Sequence, residues 1–206
     1  MIYKNKTEFI KENIKNTDVV LDVGFWGQAI QIDDDNWVHK ILKDQAKEVY
    51  GLDLDYDETM FKDNYLKANA EDFDFNVKFD VIFASDLIEH LSNPGLFLNA
   101  CKRNLKSNGR IIVTTPNTYN LFNLFSKVSR GEPQVNHDHT CYFNEPTLKQ
   151  LCGKNNLEVE NFDYMYSLDV DFKESLKKKI INILYYTLSK FTDKYIESLV
   201  AIIKLK

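Results

Sequence analysis

VVLDVGFWGQ, residues 19–28, is the stretch on which the fold turns. Together with Asp18 it opens as an apolar run, DVVLDV, that reads as a strand buried on both faces. It closes on an acid, Asp22, and a turn bearing Gly24 and Gly27. Beyond the acidic patch Asp33, Asp34 and Asp35, a helix is expected over about 36–47, and EVYGLDLD at 48–55 supplies the next strand. Upstream, Phe9, Ile10 and Ile14 stand at helical spacing within roughly 6–16.

Working outward, a helix near 57–66 and a short strand around 66–69 lead to FDVIFA at 79–84, a strand ending in the polar pair Ser85 and Asp86. Asn93 before Pro94 marks a helix start, and Asn108-Gly109 is expected to stop that helix ahead of the strand RIIVTT. Leu121, Phe122, Leu124, Phe125 and Val128 give the segment 117–136 near-helical spacing, a lid candidate over the sheet edge. Asn144 and Pro146 open another helix, and strands at 157–170 and 199–206 are joined by a long helix near 174–192. Alternating strands and helices favour a doubly wound α/β domain spanning 1–206, with ligands bound at the carboxyl ends of the strands.

Composition narrows the function. A formal charge of −5 argues against a sequence-independent grip on nucleic acid, which needs clustered Lys and Arg. Cys101, Cys141 and Cys152 lack metal-ligand pairing and suggest a reducing, cytoplasmic setting. The charged first residues lack a signal peptide's apolar core, and no apolar run is long enough to span a bilayer. In the 174–192 helix, Lys177, Lys178 and Lys179 precede a stripe of Ile180, Ile183, Leu184, Thr187, Leu188 and Phe191. Such a helix suits peripheral membrane contact, packing on its own sheet, or a homodimer interface.

The ordered segments resemble the class I S-adenosylmethionine-dependent methyltransferases over about residues 15–162. The resemblance implies a Rossmann-like, mostly parallel seven-stranded sheet with an antiparallel last strand, and S-adenosylmethionine as cofactor. In VVLDVGFWGQ, Asp22 and Gly24 match the family's acidic strand end and glycine turn beneath the methionine part of the cofactor. The family's second and third glycines fall on Trp26 and Gln28, so the turn must be rerouted, with Gly27 as the residue that permits it. Asp53, followed by Leu54, matches the strand-end carboxylate that accepts both ribose hydroxyls. KANAEDFDF resembles the adenine-contacting segment through Asn69, Ala70 and Glu71, and Ser85 falls at the cofactor-side end of its strand. Taken singly, these are also ordinary polar strand ends.

FDVIFASDLIEHLSNPGLFL, LKSNGRIIVTTPN and HDHTCYFNEPTLKQLCGKNNLEVE resemble the branch of ubiquinone-biosynthesis and sugar or small-molecule O-methyltransferases. A small-molecule or sugar-like acceptor methylated at oxygen is implied. Methyl transfer from a sulfonium needs alignment and, for a hydroxyl, removal of its proton. His139 is the expected base, with His137 as the alternative and Asp86 lining the pocket. Asp86, Glu89 and His90 also resemble a Glu-x-x-Glu-His segment that binds metal in some quinone O-methyltransferases. Here they are read as pocket and helix-start residues with no resident metal. Trp37 and His39 carry no assigned role. Two other classes remain: a degenerate methyltransferase fold kept as a binding scaffold, suggested by Trp26, and a nicotinamide-dependent oxidoreductase, whose third fingerprint glycine is missing.

Overall fold

Ile2–Tyr3 (β1) and the helix Lys6–Asn13 (α1) lead into Val19–Val23 (β2), the strand that anchors the sequence reading. The helix Val38–Gln45 (α2) and the strands Glu48–Asp53 (β3), Tyr65–Lys67 (β4) and Phe79–Ser85 (β5) follow. A 3-10 turn at Ile88–His90 precedes the helix Pro94–Asn104 (α3) and the strand Leu105–Pro116 (β6). Leu121–Arg130 (α4), Glu145–Lys154 (α5), Leu157–Met165 (β7) and Ser198–Leu205 (β8) complete the order. This computed structural model describes residues 1–27, 34–133, 136–166, 187 and 192–206. The expected 174–192 helix therefore lies almost wholly outside the described residues.

The strands form one eight-stranded sheet in the order β1-β7-β8-β6-β5-β2-β3-β4. Only β8 runs antiparallel to its neighbours, so the expected doubly wound sheet with an antiparallel last strand is what forms, extended by β1 at one edge. The central strands are apolar on alternate residues toward both faces. Val20, Val81 and Phe83 meet Phe9, Ile10, Ile41 and Leu42 of α1 and α2 on one side. Leu21, Val23, Ile82 and Ala84 meet Phe97, Leu98, Cys101, Leu148 and Cys152 of α3 and α5 on the other. Each large side chain so buried stabilises the fold by about 1.5–3 kcal/mol.

Two local expectations fail for identifiable reasons. No helix forms over 57–66; the chain makes a turn in which the Asp57 carboxylate accepts from the Thr59 backbone and hydroxyl at 2.9 and 2.6 Å. That competing local bond ends the turn, and Tyr56 and Phe61 go instead into an aromatic cluster. Helix α3 stops at Asn104, ahead of Asn108-Gly109. The buried Asn104 amide donates to Phe73 and Ala100 carbonyls and accepts from Phe75 N–H at 2.8 Å, pinning the helix end to the loop before β5.

Gly109 serves the following strand. The β5–β6 register shifts between Phe79 and Val81, and a Cβ at Gly109 would stand 2.8 Å from both the Phe79 carbonyl oxygen and Leu105 Cγ. Backbone cannot yield as a side chain can. Gly109→Ala is therefore expected to destabilise the protein by about 1–3 kcal/mol, read as a lowered denaturation midpoint with unchanged slope.

Candidate active site

Val23 pairs with Leu52 on one side and Ala84 on the other, so Gly24, Asp53 and Ser85 are the next residues at one level of the sheet's carboxyl edge. The chain order also reverses between β2 and β5, which opens a crevice at this edge. Gly24 adopts φ of 78°, a left-handed conformation that glycine tolerates without strain. Its N–H bonds the Leu52 carbonyl at 2.7 Å, laying the turn against the end of β3.

Asp53 is the focus of that turn. Its carboxylate accepts from Trp26 N–H at 2.8 Å and Leu54 N–H at 2.7 Å, and burial raises its pKa above the usual carboxylate range despite these bonds. A carboxylate has about four acceptor sites, and the third N–H on it, that of Asp55, stands at a long 3.5 Å, so capacity remains for a diol. The Trp26 ring packs against Phe61 and Trp37, with centroids 5.4 and 6.2 Å away, and Trp37 Nε1 donates to the Phe25 carbonyl at 3.0 Å. Where the family pattern has a glycine, the chain has an aromatic wall stitched to α2. Gly27 is exposed, and Gln28 lies outside the described residues.

Asn69 follows β4, and its side chain accepts Glu71 N–H at 2.9 Å. Glu71 is committed elsewhere: Asn93 donates to its carboxylate from N–H at 2.7 Å and Nδ2 at 2.8 Å, bonds that lower its pKa. Asn93 accordingly makes no side-chain cap on α3, although Pro94 stands in the first turn as expected. Ala70 is buried in the core, Leu54 is exposed, and Ser85 Oγ lies 3.4 Å from Thr114 Oγ1.

A second group assembles beyond β5. Asp86 takes a left-handed φ of 48°, held by its N–H on the Thr114 carbonyl and hydroxyl, both at 3.1 Å. Its carboxylate bonds Lys6 of α1 at 2.6 Å and Thr114 at 2.9 Å. Glu89 is buried; one oxygen accepts from Thr115 at 2.9 Å, and the other has no partner among the described residues. Thr140 and Cys141 donate their N–H groups to the Glu89 carbonyl at 2.8 and 3.2 Å, attaching the loop after α4 to this turn. His139 thereby meets His90 edge to face at 4.6 Å, and ligand atoms of Glu89, His90 and His139 lie within 4.8 Å of one another.

Burial, reinforced by Asp86, pushes the Glu89 carboxyl up to about 7, while burial and His90 push His139 below the usual imidazole range. The cluster is therefore suited to hold one positive charge near neutrality, as a proton or a cation. His137 stays apart, exposed and 3.1 Å from Asp138. Sequence spacing marked Asp86, Glu89 and His90, but the structure turns Asp86 toward Lys6 and brings His139 to the other two. No local signal in the sequence pointed to Lys6, Thr114 or Thr115.

Residues 7–161 match the family model described as methyltransferase domain, well over half of the chain. The chain belongs to the S-adenosylmethionine-dependent methyltransferases. This methyltransferase is similar to the ubiquinone biosynthesis O-methyltransferase of Rickettsia bellii, 23% identical over 145 residues that cover 62% of this chain and 60% of that protein. The Cereibacter sphaeroides protein of the same name is 26% identical over 144 residues, 68% of this chain and 55% of the relative. The methyltransferase thus spans little more than half the length of these curated relatives. A SAM-dependent methyltransferase from Archaeoglobus fulgidus superposes with a TM-score of 0.62 at 18% identity, covering 96% of this chain and 94% of that one. So does 1,6-didemethyltoxoflavin-N1-methyltransferase from Burkholderia thailandensis, with S-adenosylhomocysteine bound, at 0.57 and 15% identity over 98% and 77%.

The Glu89 site of the methyltransferase has a measurable signature. Because the folded state holds the Glu89 proton more tightly than the unfolded chain, the stability it contributes is complete below its ordinary value of 4.5 and is lost as pH rises through about 7. Relative to Glu89→Gln, wild-type unfolding free energy should fall across that window by up to about 3 kcal/mol, measured by denaturant titration at several pH values.

Proposed function

We propose that the chain transfers the methyl group of S-adenosylmethionine to an oxygen of a small-molecule or sugar-like acceptor. The observation that carries the oxygen assignment is the Glu89–His90–His139 cluster at the carboxyl end of β5, a proton-holding group beside the crevice. The O-methyltransferase names of the curated relatives support it. The fold is indifferent to the acceptor atom, since a neighbour of similar superposition is named an N1-methyltransferase.

Asp53 holds the ribose diol through its spare acceptor sites, and the Gly24 turn and Asp22 flank the methionine end. Asn69 and Ala70 border the adenine, and Ser85 borders the crevice between them. When bound, the cofactor supplies a methyl group already activated by a sulfonium. His139, with its pKa lowered, is neutral near pH 7 and takes the acceptor's hydroxyl proton at a ring nitrogen. Glu89 lies within reach of the resulting charge, and the Asp86 and Asp138 carboxylates favour it. Asp86 holds the mouth of the pocket through Lys6.

Calorimetric titration with S-adenosylhomocysteine, with NAD as control, tests the cofactor half. Micromolar binding of the former alone is expected, and Asp53→Ala should weaken it by about tenfold or more while the fold survives. Unchanged affinity in that variant would remove Asp53 from the site. For the acceptor half, His139→Ala should lower turnover by about 10²-fold or more with S-adenosylhomocysteine affinity intact. Full turnover would leave His139 without a catalytic role.

A second reading of the cluster follows from its donor set. One carboxylate and two imidazoles suit a divalent ion that would orient an acceptor's oxygens. Chelator treatment that abolishes turnover, with recovery on adding Mg²⁺ or Zn²⁺, would favour the ion; indifference to chelator leaves the proton.

A further inference from the structure

His39 is fully buried in the first turn of α2, and both of its ring nitrogens meet side chains from other elements. Nδ1 lies 3.0 Å from Asp22 Oδ2 at the end of β2, and Nε2 lies 2.9 Å from the Tyr65 hydroxyl on β4. Asp22 is itself buried, and His39 is its side-chain hydrogen-bond partner among the described residues. An ionised carboxylate at such depth requires a donor, because desolvation without one costs several kcal/mol. The geometry selects the tautomer. With the proton on Nδ1, the ring donates to Asp22 and Nε2 accepts the Tyr65 O–H, so all three groups are satisfied. With the proton on Nε2 alone, two lone pairs would face each other at Asp22.

The surroundings show that this chain of bonds also fixes the turn. Helix α2 begins without a side-chain cap at Trp37. Its attachment to the β2 end comes from His39 on Asp22 and from Trp37 Nε1 on the Phe25 carbonyl, on either side of the left-handed Gly24. The Phe25 ring seals the imidazole at 4.9 Å, and the Tyr65 ring at 5.5 Å.

We propose that His39 is a positioning residue for the cofactor: the Tyr65–His39–Asp22 chain of hydrogen bonds holds the Asp22 carboxylate oriented beneath the cationic amino-acid end of S-adenosylmethionine. It rests on the cofactor assignment above. Through it, the carboxylate that meets the methionine ammonium is oriented by a residue of α2 that never touches the ligand. The Phe25 and Tyr65 rings, with His39 fully buried behind them, keep water from this chain of bonds.

Two isosteric half-replacements separate the roles. His39→Asn places its amide near the Nδ1 position and retains the donor to Asp22, whereas His39→Gln reaches the Nε2 position and retains only the Tyr65 link. Calorimetric affinity for S-adenosylhomocysteine should stay within about threefold of wild type in His39→Asn and fall by about tenfold or more in His39→Gln and His39→Phe. Thermal unfolding of each variant separates affinity from stability. Equal losses in the Asn and Gln variants, or none in any, would overturn the proposal while leaving wild-type binding as support for the cofactor; wild-type protein that binds no S-adenosylhomocysteine overturns both. Where a variant does not fold, ¹⁵N-imidazole NMR of the wild type decides: a proton on Nδ1 is expected, and one on Nε2 alone overturns the relay.

Discussion

Strand β2 is hydrogen-bonded along both edges and packed with apolar side chains on both faces, and the rest of the molecule answers to that confinement. A strand so enclosed can place chemistry only at its carboxyl end, where the ladder stops and water begins. Asp22 sits one residue before that end and is buried, so it needs a donor from inside the protein, which His39 provides. Gly24 then leaves the sheet in a left-handed conformation and bonds back to Leu52, which carries the following backbone across Asp53. The position of Asp53 is thus a consequence of how β2 is allowed to finish.

The other half of the crevice is built by a different means. Glu89 and His90 belong to a short 3-10 turn with little stability of its own, and residues 136–141 around His139 form neither helix nor strand. Thr140 joins the two through its N–H and hydroxyl on the Glu89 and Leu91 carbonyls, a handful of bonds doing what a ladder does elsewhere. The left-handed Asp86 is held against Thr114 in the same region, and a non-glycine residue persists there only because its surroundings over-determine it. Lys6 reaches across from α1 to balance its charge.

What the sequence made legible divides along the same line. Strands β2, β3 and β5 and the groups at their ends follow from apolar runs that stop in polar residues, a local signal with a local cause. The failures are long-range. Asn93 and Pro94 read as a cap, yet Asn93 is spent on Glu71 from another segment. Asn108-Gly109 read as a helix stop, yet Asn104 stops the helix by bonding to Phe73 and Phe75, and Gly109 is there because Phe79 is close. His39 fell within the expected 36–47 helix with no role assigned to it, and nothing nearby in the chain announces that Asp22 and Tyr65 will close on it.

The two halves also differ in what they must tolerate during a reaction. The β2–β3 end works by fixed donors and acceptors: backbone N–H groups on Asp53, a buried imidazole on Asp22 and interlocked aromatic rings that leave little room to relax. A ligand held there meets a pre-set field and requires little reorganisation. The Glu89–His90–His139 group has the opposite character: burial and Asp86 bring the Glu89 carboxyl up to about 7, while burial and His90 hold His139 below the usual imidazole range. A carboxyl so placed changes protonation at small cost near neutral pH. Rigidity at one end of the crevice and compliance at the other suit a reaction in which one partner arrives activated and only the other has a proton to lose.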